Sequence, residues 1–210
     1  MSTIWNQVGS SEVQNPEKNH KSWRNSEVSE PKTREMNEIL PYLYIGSLMD
    51  SRSSDQMKKY GIKRIVTCMK EPFLTFNDNV KRLHLPLEDQ ASENIVRFFE
   101  KAIDFIHEAR LAKEPVLVHC FVGVSRSPTI VAAYLLTLYP VDFFTTIKFI
   151  QSKRPIVNPN FGFRMALNKY ALEEKCLSHR QRLRATIPEA QVRQDEEILR
   201  ADNPCIPQFE

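Results

Sequence analysis

The sequence predicts an α/β domain in which a central, mixed and mostly parallel sheet of about five strands is flanked by helices. Short β-branched or apolar runs alternate along the chain with longer segments whose apolar residues recur at helical spacing. The 210 residues suffice for one domain with a proper core and are too few for two ordinary ones. The content of 41 % hydrophobic and 26 % charged residues is typical of a globular protein without a membrane span.

Five segments have the pattern of strands. Residues 38–45 predict two short strands broken at Pro41, because proline interrupts a strand. Residues 63–69 are rich in β-branched side chains, and residues 80–87 alternate between apolar and polar ones. Residues 115–119 are short and mostly apolar, which is typical of a central strand covered on both faces.

The intervening and following segments predict helices. Asp50 or Ser51 can cap a short helix that extends to Tyr60 and is ended by Gly61. Apolar residues from Ile95 to Ile106 recur at i, i+3 and i+4 and predict a longer helix. Three further helices are predicted at residues 126–138, stopped by Pro140, at 142–153, capped by Asp142, and at 161–176.

The two ends of the chain differ in composition from its centre. Residues 1–35 are rich in Ser, Asn, Glu and Lys, with Trp5 and Trp23 as isolated large groups, so this segment is predicted to be disordered. Residues 181–210 are predicted to form a charged tail with one helix at 189–199, and the sequence leaves open whether that helix packs back. Residues 36–180 remain as the folded domain.

One stretch carries a chemical signature: His119-Cys-Phe-Val-Gly-Val-Ser-Arg-Ser127, in which an apolar strand ends in cysteine and a helix begins at arginine. Such a loop turns backbone N–H groups inward beside a helix N-terminus, which creates a site for an anion the size of phosphate. Gly123 allows the curl, and Arg126 adds a planar fork that grips two oxygens. The substrate phosphate is therefore expected to bind to Phe121, Val122, Gly123, Val124, Ser125 and Arg126.

The same loop predicts a nucleophile at Cys120. Helix N-termini and nearby arginines lower the pKa of a thiol, and a thiolate beneath a bound phosphate is placed for in-line attack. Ser127 can donate a hydrogen bond to the sulfur and steady it as a leaving group. A buried structural cysteine beside a surface arginine is the alternative, which the agreement of strand, loop and helix disfavours.

Cleavage of a phosphate ester also requires a proton for the leaving oxygen. Asp89 and Glu88 lie in a polar loop between a strand and a helix, and their chemistry alone does not choose between them. A solvated acidic turn that caps the next helix is the alternative. The four cysteines include no pair or His–Cys cluster at metal-ligand spacing, so no metal or other cofactor is expected.

At these residues the chain resembles the cysteine-dependent protein phosphatases, and within them the small, atypical dual-specificity phosphatases. The loop resembles their His-Cys-x-x-Gly-x-Ser-Arg-Ser pattern, residues 89–94 their Asp-x4-Asn segment, and residues 153–163 a segment that buttresses the loop. The resemblance selects Asp89 over Glu88 as the proton donor. It also implies supporting roles for His119 and for Asn160, which is expected to hydrogen-bond the loop from behind, and a dual-specificity-phosphatase-like fold over residues 36–180.

Residues 36–46, 105–111 and 158–160 resemble the branch of the JNK-pathway-associated phosphatase. This resemblance implies hydrolysis of phosphotyrosine and of phosphoserine or phosphothreonine through a phospho-cysteine, and it makes a MAP-kinase-pathway component a candidate substrate. Val122 stands where the family usually has alanine, a change at the pocket wall. That branch often carries a myristoylated glycine where this chain has Ser2, so no membrane anchor is expected.

Other functions remain as alternatives. The 29 basic residues are scattered among 26 acidic ones, so nucleic acid is not an expected partner. A phosphatase of phosphoinositides or RNA 5′-ends would share the loop, but residues 121–125 add no cation for such substrates. A phosphoprotein-binding pseudophosphatase would normally lack Cys120, Arg126 or Asp89. A low-molecular-weight phosphatase or an arsenate reductase would have its loop near the N-terminus.

The cysteines also bear on location and redox chemistry. The N-terminus has no apolar core of the kind that a signal peptide needs, so we expect a reducing compartment without a disulfide framework, the cytoplasm, with the nucleus as a second compartment. Cys68 and Cys120 each end a strand, so in a parallel sheet Cys68 could trap an oxidised Cys120 as a reversible disulfide. Some phosphatases that this chain resembles use such a second cysteine. The alternative is that Cys68 is a small apolar residue of its strand.

Overall fold

The computed structural model of this chain describes residues 35–71 and 79–201. Apart from Glu35, the segment predicted to be disordered lies outside these residues, and so do Trp5, Trp23 and Cys205. Among the residues that are described, no helix is both long and apolar enough to cross a bilayer.

The strands form one mixed sheet. They are β1 (Asn37–Leu40), β2 (Leu43–Gly46), β3 (Arg64–Cys68), β4 (Lys81–Leu85) and β5 (Val116–His119). Their order is β1-β2-β5-β3-β4, with β1 and β2 antiparallel and the other neighbours parallel. The predicted five-stranded, mostly parallel sheet is thus confirmed. The central strand β5 is buried along its whole length, so the chain enters the Cys120 loop from a fully covered strand.

Helices cover the sheet. They are α1 (Leu48–Arg52), α2 (Ser54–Lys59), α3 (Phe99–Leu111), α4 (Arg126–Leu138), α5 (Phe143–Lys153), α6 (Phe161–Ala171), α7 (Glu174–Arg184) and α8 (Glu189–Ala201), with a 3₁₀ helix at Ile95–Phe98 before α3. Helix α4 is buried over nearly all of its length and packs against α3, α5, α6 and α7. Because α4 begins at Arg126, the core of the domain fixes the helix whose N-terminus borders the predicted anion site.

The helix predicted to start at Asp50 or Ser51 is two helices, and the predicted caps are wrong. Ser47 is the N-cap of α1: its hydroxyl accepts from the Asp50 N–H, and the Asp50 carboxylate accepts from the Ser47 N–H at 2.7 Å. Ser53 then takes an extended conformation, which ends α1, and its side chain caps α2. Serine hydroxyls compete for backbone N–H groups, which explains why the serine-rich stretch breaks here.

The helix predicted at residues 161–176 also divides. It ends after Ala171, and Glu173 adopts an extended conformation, with φ −77° and ψ 142°, that starts α7. The expected domain boundary at residue 180 falls inside α7, and the helix expected at 189–199 is α8.

Helix α8 packs onto the domain through a buried ion pair, which answers the question that the sequence left open. Both carboxylate oxygens of Asp195 accept from Arg110 Nη2 at 2.7 Å, and neither side chain is exposed. Arg110 also donates to the Pro41 carbonyl and to the Tyr134 hydroxyl, each at 3.0 Å, and Tyr139 donates to Asp195. Every nitrogen of Arg110 therefore has an acceptor.

Candidate active site

The loop between β5 and α4 is held from outside through its carbonyl groups. The carbonyl acceptors and their outside donors are Phe121 with Leu48 N (3.2 Å), Val122 with Arg154 Nη2 (3.1 Å), Gly123 with Arg154 Nε (3.0 Å) and Val124 with Asn158 N (2.8 Å). The Ser125 carbonyl accepts from Thr129 N, in the first turn of α4, at 3.1 Å. With the carbonyls bonded outward, the N–H side of the loop is turned toward Cys120, and the Gly123 N–H donates to Cys120 Sγ at 3.2 Å. This arrangement is the one expected of an anion-binding loop.

Glycine is required at position 123 for two reasons. Its φ is +78°, in the left-handed region that other residues rarely adopt. A Cβ atom there would also lie 2.6 Å from the Gly46 carbonyl oxygen and 2.8 Å from Arg154 Nη2. The curl that brings the loop N–H groups inward therefore depends on the absence of a side chain.

Arg154 supports the loop from behind, a role that its position in the sequence alone does not predict. Its side chain is 1 % exposed and donates to the Val122 and Gly123 carbonyls. Its Nη1 donates to Asn37 Oδ1 at 2.8 Å and to the Glu35 carbonyl at 3.2 Å, so Arg154 joins the loop to the start of β1. The signal in the sequence was its place in the 153–163 segment, which the family resemblance associates with loop support.

Cys120 lies at the base of the loop and is 2 % exposed. Ser127 Oγ donates to Cys120 Sγ at 3.3 Å, so the predicted donor lies within reach of the sulfur. His119 Nε2 forms a hydrogen bond with Thr67 Oγ1 at 2.9 Å, and burial lowers the pKa of His119 to about 4. The imidazole is therefore neutral at physiological pH and positions the end of β5 without adding charge.

Arg126 points one buried donor into the site. Its Nη1 donates to the Leu87 carbonyl at 3.3 Å, and its Nε lies 3.6 Å from Asp89 Oδ2. Within the described residues Arg126 Nε is buried and makes no hydrogen bond. A guanidinium whose buried N–H is unused, beside an anion-binding loop, is suited to take an oxygen of a bound phosphate.

Asp89 lies at this site, and Glu88 turns away from it. Asp89 Oδ1 accepts from Ser125 Oγ at 2.7 Å and from Asn160 Nδ2 at 2.9 Å. Glu88 instead pairs with Lys70, and that hydrogen bond lowers the pKa of the exposed Glu88 carboxyl. The geometry thus agrees with the choice of Asp89 that the resemblance implied.

Asn160 contacts the loop in a different way from the one expected. Its side chain donates to Asp89, while its Oδ1 accepts from the Phe163 N–H at 3.0 Å and caps α6. Only its backbone N–H reaches the loop, donating to Ser125 Oγ at 3.1 Å. Asn160 therefore joins the loop, the Asp89 carboxylate and the start of α6.

Gly162 brings the first turn of α6 against the segment that follows Asp89. A Cβ at this position would lie 1.9 Å from the Ala91 carbonyl oxygen, which no side chain could tolerate without moving the backbone. This contact fixes the Asp89 loop beside the loop of Cys120.

Cys68 and Cys120 follow paired residues of neighbouring strands. Strand β3 is hydrogen-bonded to β5 in parallel, with Thr67 opposite His119, so each cysteine is one residue beyond a matched pair. Burial raises the pKa of Cys68 well above its ordinary value, and proximity to Cys120 raises it further. The disulfide between them stays a prediction. In the described ranges, no three His, Cys, Asp or Glu side chains group closely enough to hold a metal ion.

Comparisons with known proteins match this geometry. A family model described as the catalytic domain of dual specificity phosphatases matches residues 43–173. Human dual specificity protein phosphatase 22 is 39 % identical over 141 residues, covering 66 % of this chain and 75 % of that protein. Human dual specificity protein phosphatase 15 is 37 % identical over 144 residues, covering 68 % and 48 % respectively. A crystal structure of DUSP15 aligns with a TM-score of 0.69 at 33 % identity, covering 74 % of this chain and 98 % of that one.

Proposed function

Because the chain belongs to the dual specificity phosphatase family and is a protein phosphatase, we propose that Cys120, Arg126 and Asp89 carry out its reaction. The resemblance to the cysteine-dependent phosphatases and to the branch of the JNK-pathway-associated phosphatase is confirmed. The observation that most supports the residue roles is the convergence of three groups: the loop N–H face above Cys120, the buried Arg126 Nε and the Asp89 carboxylate.

The first half of the reaction forms a phospho-cysteine. The loop N–H groups and Arg126 hold the phosphate oxygens, and the Cys120 thiolate attacks the phosphorus opposite the leaving oxygen. Asp89, in its protonated form, donates its proton to that oxygen as the P–O bond breaks, so the protein hydroxyl leaves neutral. Ser125 and Asn160 hold the carboxyl at the site and act as positioning residues.

The second half returns the enzyme to its starting state. Asp89, now ionised, takes a proton from water as the water oxygen attacks the phosphorus and the P–S bond breaks. Ser127 donates a hydrogen bond to Sγ and stabilises the departing thiolate. Inorganic phosphate leaves, and Asp89 and Cys120 regain their initial charges. In both halves the chain's own backbone and side-chain groups bind the phosphate and move the proton, so no metal is required.

The substrate is a phosphorylated protein, and we infer that a component of a MAP-kinase pathway is a candidate for it. The support for this inference is the resemblance to the JNK-pathway-associated branch. For location we propose the cytoplasm, with the nucleus as a second compartment. The supporting observation is that Cys68, Cys120 and Cys176 are all free thiols, as is usual in compartments that keep thiols reduced.

Hydrolysis of a small aryl phosphate by the full chain tests the proposal. The wild type should turn over with EDTA present, whereas Cys120→Ser should fall to background and Arg126→Lys should fall close to it, because lysine lacks the planar two-point grip. Circular dichroism should show both variants folded. A wild type that binds phosphopeptides without cleaving them would indicate a pseudophosphatase, and activity retained in Cys120→Ser would contradict the mechanism.

A further inference from the structure

A cleft with a volume of about 580 Å³ adjoins the proposed active site. Asp89, Val124 and Ser125 form the side that it shares with the catalytic loops, and residues 158–161 and Arg164 form the other side. Its size is that of a pocket for a side chain or small ligand and exceeds what a phosphate group alone would fill. The cleft therefore offers room for a group of the substrate other than the scissile phosphate.

Arg164 is the one cationic residue among the described residues that line this cleft. Its Nε donates to the Pro159 carbonyl at 2.7 Å, and its Nη2 donates to Asn158 Oδ1. Both acceptors are neutral, and within the described part of the chain Arg164 forms no ion pair with a carboxylate. The guanidinium is thus held in direction by neutral groups, and the other charged residue that lines the cleft is Asp89, whose carboxylate accepts from Ser125 and Asn160.

The residues directly after the nucleophile have a different character. Phe121 and Val122 are 58 % and 52 % exposed and are apolar. A protein substrate can therefore meet both an apolar part of the phosphate loop and a cleft that holds the Arg164 guanidinium. Such an asymmetry can discriminate between the sequences that flank a phosphorylated residue.

We propose that the Arg164 cleft binds a second anionic group of the phosphoprotein substrate, either a carboxylate or a second phosphate, within three residues of the one that is cleaved. This inference rests on the proposed function, because it takes the scissile phosphate to occupy the Cys120 loop. Arg126 serves that phosphate, so Arg164 supplies the separate cation that a second anion needs. A fixed guanidinium binds a planar carboxylate or a phosphate at lower entropic cost than a mobile lysine would.

A purely structural role for Arg164 is the alternative. Its two hydrogen bonds fasten residues 158 and 159, and Asn160 next to them contacts Asp89. If fastening were its whole role, replacing Arg164 would weaken turnover of every substrate to the same extent. Selectivity between matched substrates separates the two roles, whereas total activity does not.

The test uses one phosphotyrosine peptide with Gln, Glu or phosphoserine placed in turn at each position from three before to three after the tyrosine. With the wild type, kcat/KM should be about tenfold higher for the anionic version at one or more positions. Arg164→Gln should remove that preference and leave hydrolysis of a small aryl phosphate within about twofold. Arg164→Lys should keep part of the preference, and higher salt should reduce it.

Lys169→Gln is the matched control, since it removes one charge from an exposed residue of the same helix that does not line the cleft. It should retain the preference. Binding of the same peptides to Cys120→Ser, with and without Arg164→Gln, measures the preference without turnover and separates this inference from the catalytic proposal. A preference that persists in Arg164→Gln, or a wild type that binds all versions equally, overturns the subsite.

Discussion

Two arginines, Arg110 fully buried and Arg126 partly exposed, hold two regions of this molecule in opposite ways. Arg110 anchors α8, and each of its nitrogens has an acceptor in Pro41, Tyr134 or Asp195. Arg126 starts α4 beside the catalytic loop, and its buried Nε makes no hydrogen bond within the described residues. Removing the partner of a fully satisfied buried cation destabilises the fold, whereas an arginine with an unused donor is suited to bind a ligand. Substitutions of the two acidic partners should therefore have different effects. Removing Asp195 should lower stability, and removing the Asp89 carboxyl should lower turnover.

The largest expected effect is the loss of turnover when Asp89, the acidic partner of Arg126, is replaced. Asp89→Asn should lower kcat by about 10²–10⁴-fold, because the amide cannot protonate the leaving oxygen. Steady-state kinetics on an aryl phosphate measures this loss.

Denaturant unfolding completes this test. The free energy of unfolding of Asp89→Asn should stay within about 0.5 kcal/mol of the wild type, since the carboxyl is partly exposed. Glu88→Gln is the matched control and should leave kcat nearly unchanged. If Glu88→Gln produced the larger loss, the roles of the two carboxylates would have to be exchanged.

A comparable effect, on stability, is expected when Asp195, the acidic partner of Arg110, is replaced. Asp195→Ala should lower the free energy of unfolding by about 3–5 kcal/mol, because it leaves the Arg110 charge buried without its partner. The kcat of the protein that remains folded at low temperature should change little. Urea unfolding of Asp195→Ala and of the exposed neighbour Glu197→Ala measures the difference. Equal stability of the two variants would show that the buried pair does not anchor α8.

The smallest expected effect concerns the cysteines behind the catalytic loop. Mild peroxide should oxidise Cys120 to a sulfenic acid, which the Cys68 thiol can attack with loss of water to form a disulfide. The Cα spacing of neighbouring strands, about 4.8 Å, lies within disulfide reach. Burial raises the pKa of Cys68, so this trapping should be slow and the protected fraction modest.

Activity regained with a thiol reductant after peroxide measures this protection. Recovery should be lower in Cys68→Ser than in the wild type, and the control variant Cys176→Ser should recover like the wild type. Peptide mapping under non-reducing conditions should find the Cys68–Cys120 pair. If Cys68→Ser recovered as much activity as the wild type, Cys68 would have no protective role and would be only an apolar residue of its strand.

The catalytic loop could be predicted from the sequence because its parts are contiguous. Strand, cysteine, glycine, arginine and helix follow one another from residue 115 to residue 138, and α4 has the predicted bounds. The strands were found within a residue or two, since their patterns are local as well. Choosing Asp89 over Glu88, in contrast, required a family resemblance, because the two residues share their chemistry and their loop.

The contacts that the sequence did not predict join distant parts of the chain. Arg110 and Asp195 are 85 residues apart, and nothing near either one marks it as a buried partner. The charged composition of α7 predicts that its second half belongs to a tail. This composition hides the helix face on which Cys176, His179 and Leu183 are buried. Arg154 was overlooked because its acceptors are mostly backbone carbonyls, and any residue can supply a carbonyl.

The close approach of Gly162 to Ala91 bears on the timing of the catalytic cycle. In a phosphatase whose acid arrives on a closing loop, each turnover includes a conformational step between substrate binding and chemistry. Here backbone packing and two hydrogen bonds hold the Asp89 carboxyl beside the loop of Cys120. If Asp89 is the acid, as we propose, proton donation needs no loop closure, and substrates should be distinguished by their fit to this surface.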